Sequence, residues 1–422
     1  MKNPPVTHHS ITPPDWAVTA QTSRLMAVFQ SAGYALRFIG GCVRDALLDE
    51  RPHDLDLATD ALPDRVMALV DEADGMKAIP TGIDHGTVTV LVDDERYEIT
   101  TLRQDIDTDG RHAVVAFGTD WQADAQRRDF TINALNMTAD GVIEDWTGGF
   151  ADLKAHRVRF IGTAATRIQE DYLRMLRFFR FHIRFGGDAP DPDAMAGCRQ
   201  FADQVTQLSG ERIQDEISRL IVIPQAERAL VLMDQVGLLR AAMTVDVSPD
   251  YLAKAVAFDR YPRANGLLGC RLLLPDDQAQ LNQVADRLKI SNAGRRRLIS
   301  TAGVAHVDWS RMTVKRLRLL AFREGREAAQ DFLWLAVTRG FIDADQFTAF
   351  HDDLAAWEPP ALPVDGHDVM ARGIGAGPMV KQALSHLEEW WFDQDCQADQ
   401  AALLAELDRW QSVQETHANS NL

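Results

Sequence analysis

Apolar positions in the first third of the chain alternate or bunch in short runs, and after Ala151 they recur at helical spacing. Leu36, Phe38 and Ile39 end a predicted strand that runs into Gly40 and Gly41, where the backbone can turn tightly and approach a ligand. Residues 42–48 read as a short helix, and Asp54 and Asp56 follow in a stretch of strand character. Pro63 suits the first turn of a helix over 63–72. Gly86-Thr87-Val88-Thr89-Val90-Leu91-Val92 alternates and is β-branched, Asp93-Asp94-Glu95 turns, and residues 96–103 return as a strand bearing Glu98. Residues 105–124 are polar, with a turn at Asp109-Gly110, and read as a long loop of the kind that is more often functional than decorative. Arg127-Arg128-Asp129 opens an apolar stretch to Asn136, residues 142–146 form a strand, and Gly148-Gly149 closes the region. The pattern predicts a compact α+β domain with a mixed sheet, preceded by a helix over 14–31.

From Ala151 onward the predicted strands stop. Residues 170–184 read as one helix, in which Asp171, Arg174, Arg177 and Arg180 recur every three positions and form a ridge. A solvated helix face is the plainer reading, but Leu173, Leu176, Phe178, Phe179 and Phe181 leave little polar face for it. Gly186 to Pro192 breaks this helix, and Ser209 caps the next. The remainder is helical to the end, with breaks at Pro224, Pro275, Gly294 and Pro359-Pro360, and a Pro/Gly-rich stretch over 359–377 precedes a last pair of helices.

Composition narrows the class. At 422 residues, 46% hydrophobic and 25% charged, the chain is an ordinary globular sequence of two to four domains. No apolar run approaches the roughly 18 residues of a membrane span. Residues 1–14 carry four prolines and no apolar core, and read as a loose arm. Four scattered cysteines form no CxxC pair, which argues against a zinc site or a disulfide framework and fits a reducing cytoplasm. The net charge of −18 argues against a general nucleic-acid coat but leaves room for a local basic surface, because the arginines are concentrated.

Two carboxylates two apart on a strand share a face, and they repel unless a cation lies between them. Asp54 and Asp56 therefore suggest a divalent metal, and magnesium is the ion that commonly works with substrate phosphates. The glycine turn feeding a helix N-terminus is a place for phosphate. Together they point to a nucleoside triphosphate and phosphoryl or nucleotidyl transfer. Taken alone, the two aspartates equally suit an exposed strand. Glu98 is either a third carboxylate facing the pair or a solvent-facing strand residue. Cys42 reads as a small packed residue. The His-Asp pairs at His53, His351 and His367 suggest an HD phosphohydrolase only if they converge, and His53 belongs to the aspartate motif.

Four motifs in order carry a resemblance. They are Gly40-Gly41-Cys42-Val43-Arg44-Asp45 with Asp54-Leu55-Asp56, then Arg127-Arg128-Asp129-Phe130-Thr131-Ile132-Asn133, then Glu170-Asp171 with Arg174, Arg177 and Arg180, then Gly210-Glu211-Arg212 with Glu216. Over about residues 33–220 the chain resembles the class II nucleotidyltransferases, the bacterial tRNA CCA-adding enzymes and their poly(A) polymerase relatives. The C-terminal half resembles that family's helical body and tail only loosely.

The resemblance implies an N-terminal arm over 1–22, a polymerase-β-like nucleotidyltransferase head over 23–150, and an all-α neck (151–220), body (221–358) and tail (359–422). It implies that Asp54 and Asp56 hold two Mg2+ ions, one activating the RNA 3′-hydroxyl and one stabilising the leaving pyrophosphate, and the strand reading adds Glu98 as a further candidate catalytic carboxylate. Gly41 and Arg44 are expected at the triphosphate, Arg128 and Asp129 at phosphate and ribose, and Arg177 and Arg180 along the nucleotide, one of them bracing the helix through an ion pair.

Chemistry supports a base-reading role for Asp171 and Arg174. Cytosine and adenine both present an exocyclic amine beside a ring-nitrogen acceptor, which a carboxylate beside a guanidinium complements. Uracil and guanine present the reverse, and each mispaired buried group costs roughly 1–3 kcal/mol. The expected partners are the tRNA 3′ end, CTP and ATP, with no membrane and no obligate protein partner. Arg295-Arg296-Arg297 with Lys315, Arg316 and Arg318 is either a contact for the RNA backbone or ordinary helix surface. A poly(A) polymerase, a CC- or A-adding enzyme and an inactive RNA-binding relative are the alternatives. The acidic C-terminal region argues against the first, and a retained head loop over 105–124 favours full CCA addition.

Overall fold

The computed structural model describes residues 6–108, 113–258 and 260–420. The chain divides into two compact units, Met1–Thr244 and Val245–Leu422.

The first unit is built on strands β1 (Thr7–Ser10), β2 (Leu36–Ile39), β3 (Leu55–Thr59), β4 (Met76–Gly82), β5 (Thr87–Val92), β6 (Glu95–Thr101), β7 (Arg103–Thr108), β8 (Ala113–Phe117), β9 (Asn136–Met137) and β10 (Val142–Asp145). Eight of them form one mixed sheet in the order β1-β10-β9-β2-β3-β6-β5-β4, while β7 and β8 form a separate hairpin. Pairing is antiparallel except between β3 and β6, whose parallel register sets Asp56 beside Glu98. Branched residues hold β5 extended, and Val88, Val90 and Val92 turn to the core. There they meet Leu25 and Phe29 of α1 (Ala20–Ser31), Leu57, Tyr97 and Ile99.

The other helices of this unit are α2 (Gly41–Leu47), α3 (Pro63–Asp71), α4 (Trp121–Gln126), α5 (Gly149–Lys154), α6 (Ala164–Glu170), α7 (Leu173–Phe185), α8 (Pro192–Phe201), α9 (Gly210–Ile221), α10 (Ala226–Gln235) and α11 (Leu238–Met243). Phe130, Phe160, Phe178 and Phe181 stack into one cluster that seats α7 against the end of the sheet. The second unit is helical, from α12 (Pro249–Val256) to α21 (Gln400–Ser420). Its last three helices close on a separate core around Trp391, Leu387 and Leu403.

Several expectations need correction. The arm is not loose over its described part, because β1 pairs with β10 through its backbone and His9 stacks on Phe150 at 3.7 Å. Its side chains lack apolar alternation, so the pairing left no sequence signal. Residues 105–124 are not one loop, since they contribute to the β7–β8 hairpin and the start of α4. The Asp109-Gly110 turn lies outside the described residues. Gly294 does not break a helix. It lies in the first turn of α15 (Asn292–Ser300), where Ser291 accepts its backbone N–H at 3.2 Å. The 359–377 stretch contains α19 (Gly366–Ala371), started by an Asp365 capping box.

No described helix is long and apolar enough to cross a membrane. The cysteines are free, and burial pushes the Cys42 thiol up to about 12, as suits a packed residue and not a nucleophile.

Candidate active site

Gly40 follows β2 at φ 71° and ψ −121° and caps α2, which begins at Gly41. Asp56 lies within β3, and Asp54 lies one residue before that strand and is exposed. Burial first, then the neighbouring Glu98 and Asp54 carboxylates, push the Asp56 carboxyl up to about 6 against the pull of Arg128. Three carboxylates, two at β3 and one on the paired β6, therefore neighbour one another, and Glu98 is tied to Arg96 at 2.6 Å. Among the described residues no group of three or more His, Cys, Asp or Glu is gathered tightly enough to hold a metal on its own. This also removes the support for converging His-Asp pairs.

A cleft of about 550 Å³ opens beside Asp56. Its walls gather Gly41, Arg44, Arg128, Asp129, Asp171, Arg174, Arg177 and Arg180, the expected nucleotide contacts, from α2, α7 and the turns that precede the helices. Asp54 and Glu98 line a neighbouring cavity instead. Arg44 is buried at the floor, donating to Asp45 at 2.7 Å and Asn133 at 2.6 Å and lying 4.1 Å from the Phe185 ring. Arg128 is braced by Asp124 at 3.0 Å, which also holds Arg127. Burial raises the Asp129 carboxyl, but the Arg177 guanidinium at 2.7 Å outweighs it and holds the group below the ordinary carboxylate value. Arg180 is committed to the buried Glu216 at 2.7 Å, so it braces α7 on α9.

Asp171 is not on the helix with the arginines. Its backbone is extended (φ −158°, ψ 108°) between α6 and α7. One carboxylate oxygen accepts the Leu173 N–H at 3.1 Å, and the other accepts Arg212 at 2.8 Å. The break places its side chain in the cleft with Arg174, which reaches Glu170 at 2.5 Å and the Arg167 carbonyl at 3.0 Å.

Sequence reasoning missed Arg127, Asn133, Arg212 and Arg219 as cleft residues. The first three lie inside motifs it had singled out. The seven-residue spacing of Arg212 and Arg219, which puts both on one helical face, was the available signal for the fourth. Within the basic run of the second unit, Arg297 pairs with Asp331, Arg318 with Asp353 and Lys315 with Asp395.

A family model described as "Poly A polymerase head domain" matches residues 36–159, and one described as "Probable RNA and SrmB- binding site of polymerase A" matches 189–243. The chain is 34% identical over 393 residues to the mitochondrial CCA tRNA nucleotidyltransferase 1 of Danio rerio, covering 91% of this chain and 89% of the relative. The chain belongs to the CCA tRNA nucleotidyltransferase family. A CCA-adding enzyme of Limosilactobacillus fermentum is 31% identical over 86% of this chain and 90% of its own length. The crystal structure of the Bacillus stearothermophilus CCA-adding enzyme in complex with CTP matches with a TM-score of 0.67 at 26% identity, over 95% of this chain and all of the other. This member therefore carries the family's nucleotidyltransferase head and helical continuation.

Proposed function

We propose that the chain builds or repairs the 3′-terminal CCA of tRNA from CTP and ATP, without a nucleic-acid template. The observation that carries this reading is the single cleft joining the glycine turn and Asp56 to Asp171 and Arg174. Phosphate binding and base reading thus share one site. In each addition the RNA 3′-hydroxyl oxygen bonds the α-phosphorus and gives its proton to water, while the bond from that phosphorus to the α–β bridging oxygen breaks and pyrophosphate leaves.

Nucleotidyltransferases of this family use divalent metals, and we assign Mg2+ to Asp54 and Asp56, with Glu98 beside them. The donor set fits, because the mutual repulsion at Asp56 is what a cation relieves, and Mg2+ takes few protein carboxylates and completes its shell with phosphates and water. When bound, it supplies charge neutralisation for the attacking and leaving oxygens. The chain's own residues do the remainder. The α2 N-terminus and Arg128 receive the triphosphate, Asp129 faces the ribose, and Arg177 holds Asp129 in place. Asp171 accepts the exocyclic amine and Arg174 donates to the ring nitrogen. Arg212 orients Asp171 for that contact.

We place the protein in the cytoplasm, in keeping with its free cysteines and bacterial relatives.

The test is incubation of tRNA transcripts lacking CCA with labelled CTP, ATP or both. Three ordered additions that then stop are expected. A long adenosine tail identifies a poly(A) polymerase instead, and no incorporation identifies a binding protein. Asp171→Ala is expected to admit UTP while metal binding persists. Unchanged rejection of UTP in that variant sinks the base-reading role.

A further inference from the structure

The nucleotide cleft is not the only opening onto the carboxylates. A second cavity of about 310 Å³ shares no lining residue with it, and the two meet at the carboxylate row, where Asp56 lines one and Asp54 and Glu98 line the other. In an in-line displacement the attacking oxygen and the leaving group lie on opposite sides of the phosphorus. Once a triphosphate fills the arginine-lined cleft, the hydroxyl has to reach the carboxylates from another direction. The second cavity offers that direction.

Its walls suit a nucleotide residue. Trp16 is half-buried, fixed edge-on against Phe38 with ring centroids 5.0 Å apart, and still lines the cavity. Arg51 and His53 are exposed on the rim, and among the described residues neither has an ion-pair or hydrogen-bond partner. Of the three acidic lining residues, Asp54 belongs to the proposed metal pair and the other two are hydrogen-bonded. Glu95 accepts from Tyr97 and Thr19, and Glu98 accepts from Arg96. With Arg96 paired to Glu98, Arg51 is the lining arginine that has no partner among the described residues. A larger cavity continues from Trp16, Arg51 and Glu95 along residues 11–15 of the N-terminal arm, with room for the preceding nucleotide.

We propose that this cavity is the acceptor subsite, seating the 3′-terminal nucleotide of the RNA with its base on the Trp16 ring and its phosphate at Arg51. The proposal rests on the nucleotidyltransferase reading above. It also gives the arm a role, because β1 and the residues after it hold Trp16 beside the carboxylates.

The test uses the full-length enzyme and a tRNA ending in CC, with RNA and ATP varied separately. Trp16→Ala and Arg51→Ala are each expected to raise the KM for RNA about tenfold, the scale of one stacked base or one phosphate contact, with kcat and the KM for ATP unchanged. Trp16→Phe restores most of the RNA affinity. An RNA with an abasic last position weakens binding to the wild type and weakens it no further in Trp16→Ala. Trp16 also packs on the core, so Arg51→Ala, at an exposed position, carries the test where Trp16→Ala fails to fold. An unchanged KM for RNA in Arg51→Ala, or an equal rise in both KM values, overturns the subsite while leaving the function standing. A wild-type enzyme that extends no RNA overturns the function and the subsite with it.

Discussion

At the residue scale, Gly40 shows how backbone and charge are fitted together. Its φ of 71° and ψ of −121° suit glycine alone, and a Cβ there would lie 3.2 Å from an Arg128 nitrogen and 3.5 Å from the Asn133 carbonyl. Gly40→Ala is expected to destabilise the fold by roughly 1–3 kcal/mol, read from the denaturant midpoint, and to lower activity through a displaced Arg128. Asp56 carries the opposite tension. Burial and two neighbouring carboxylates hold its carboxyl near about 6, so its charge opposes folding of the metal-free chain. Asp56→Asn is expected to raise the metal-free melting temperature at neutral pH while abolishing nucleotide incorporation. A fall in both sinks the idea that function is bought with strain here.

His182 gives a pH dependence. Burial and then the Arg228 cation hold its imidazole below the ordinary 6.5. Between that lowered value and 6.5 the unfolded chain binds the extra proton, so stability falls as pH drops below about 6.5. His182→Gln is expected to flatten that part of the melting-temperature profile.

At the scale of elements, legibility followed periodicity. The strand ending at Ile39, the helix after Gly41 and the β5–β6 hairpin were readable because branched alternation and glycine or proline punctuation coincide there. The break at Asp171 was not. The three-residue spacing of Asp171, Arg174, Arg177 and Arg180 runs through it unchanged, and a change in one residue's backbone ends α6 and starts α7. The consequence is functional, since an aspartate freed from the helix can face the cleft.

The arginines also divided by partner, which spacing alone does not reveal. The half-buried Arg180 meets the buried Glu216 between α7 and α9. Glu216→Ala leaves that guanidinium unpaired and is expected to cost about 3–5 kcal/mol in urea unfolding. Asp215→Ala removes the exposed partner of Arg219 on the same helix and is expected to change stability by only about 0–1 kcal/mol. Similar losses from both variants would mean that burial does not decide the role of these pairs.

At the scale of the whole molecule, the net charge of −18 and an RNA substrate are reconciled by placement. Eight arginines line the nucleotide cleft against three aspartates, so attraction for phosphate is local while the body stays acidic. The division into two units has its own consequence. Both family models and every cleft residue fall within Met1–Thr244, which holds its own core, while the helices after Val245 hold another. A fragment ending at Thr244 is expected to unfold in one cooperative transition, because its core is built from its own residues. It is expected to keep CTP and ATP affinity and to reject UTP, since Asp171, Arg174 and Arg212 are all retained. Its KM for tRNA is expected to rise well above that of the full chain, because we propose that the helical body and tail contact the bulk of the tRNA. Calorimetric titration with each nucleotide, beside addition assays on whole tRNA, separates the two properties. A fragment with an unchanged KM for tRNA removes the tail from substrate recognition, and one that accepts UTP moves base selection outside the cleft.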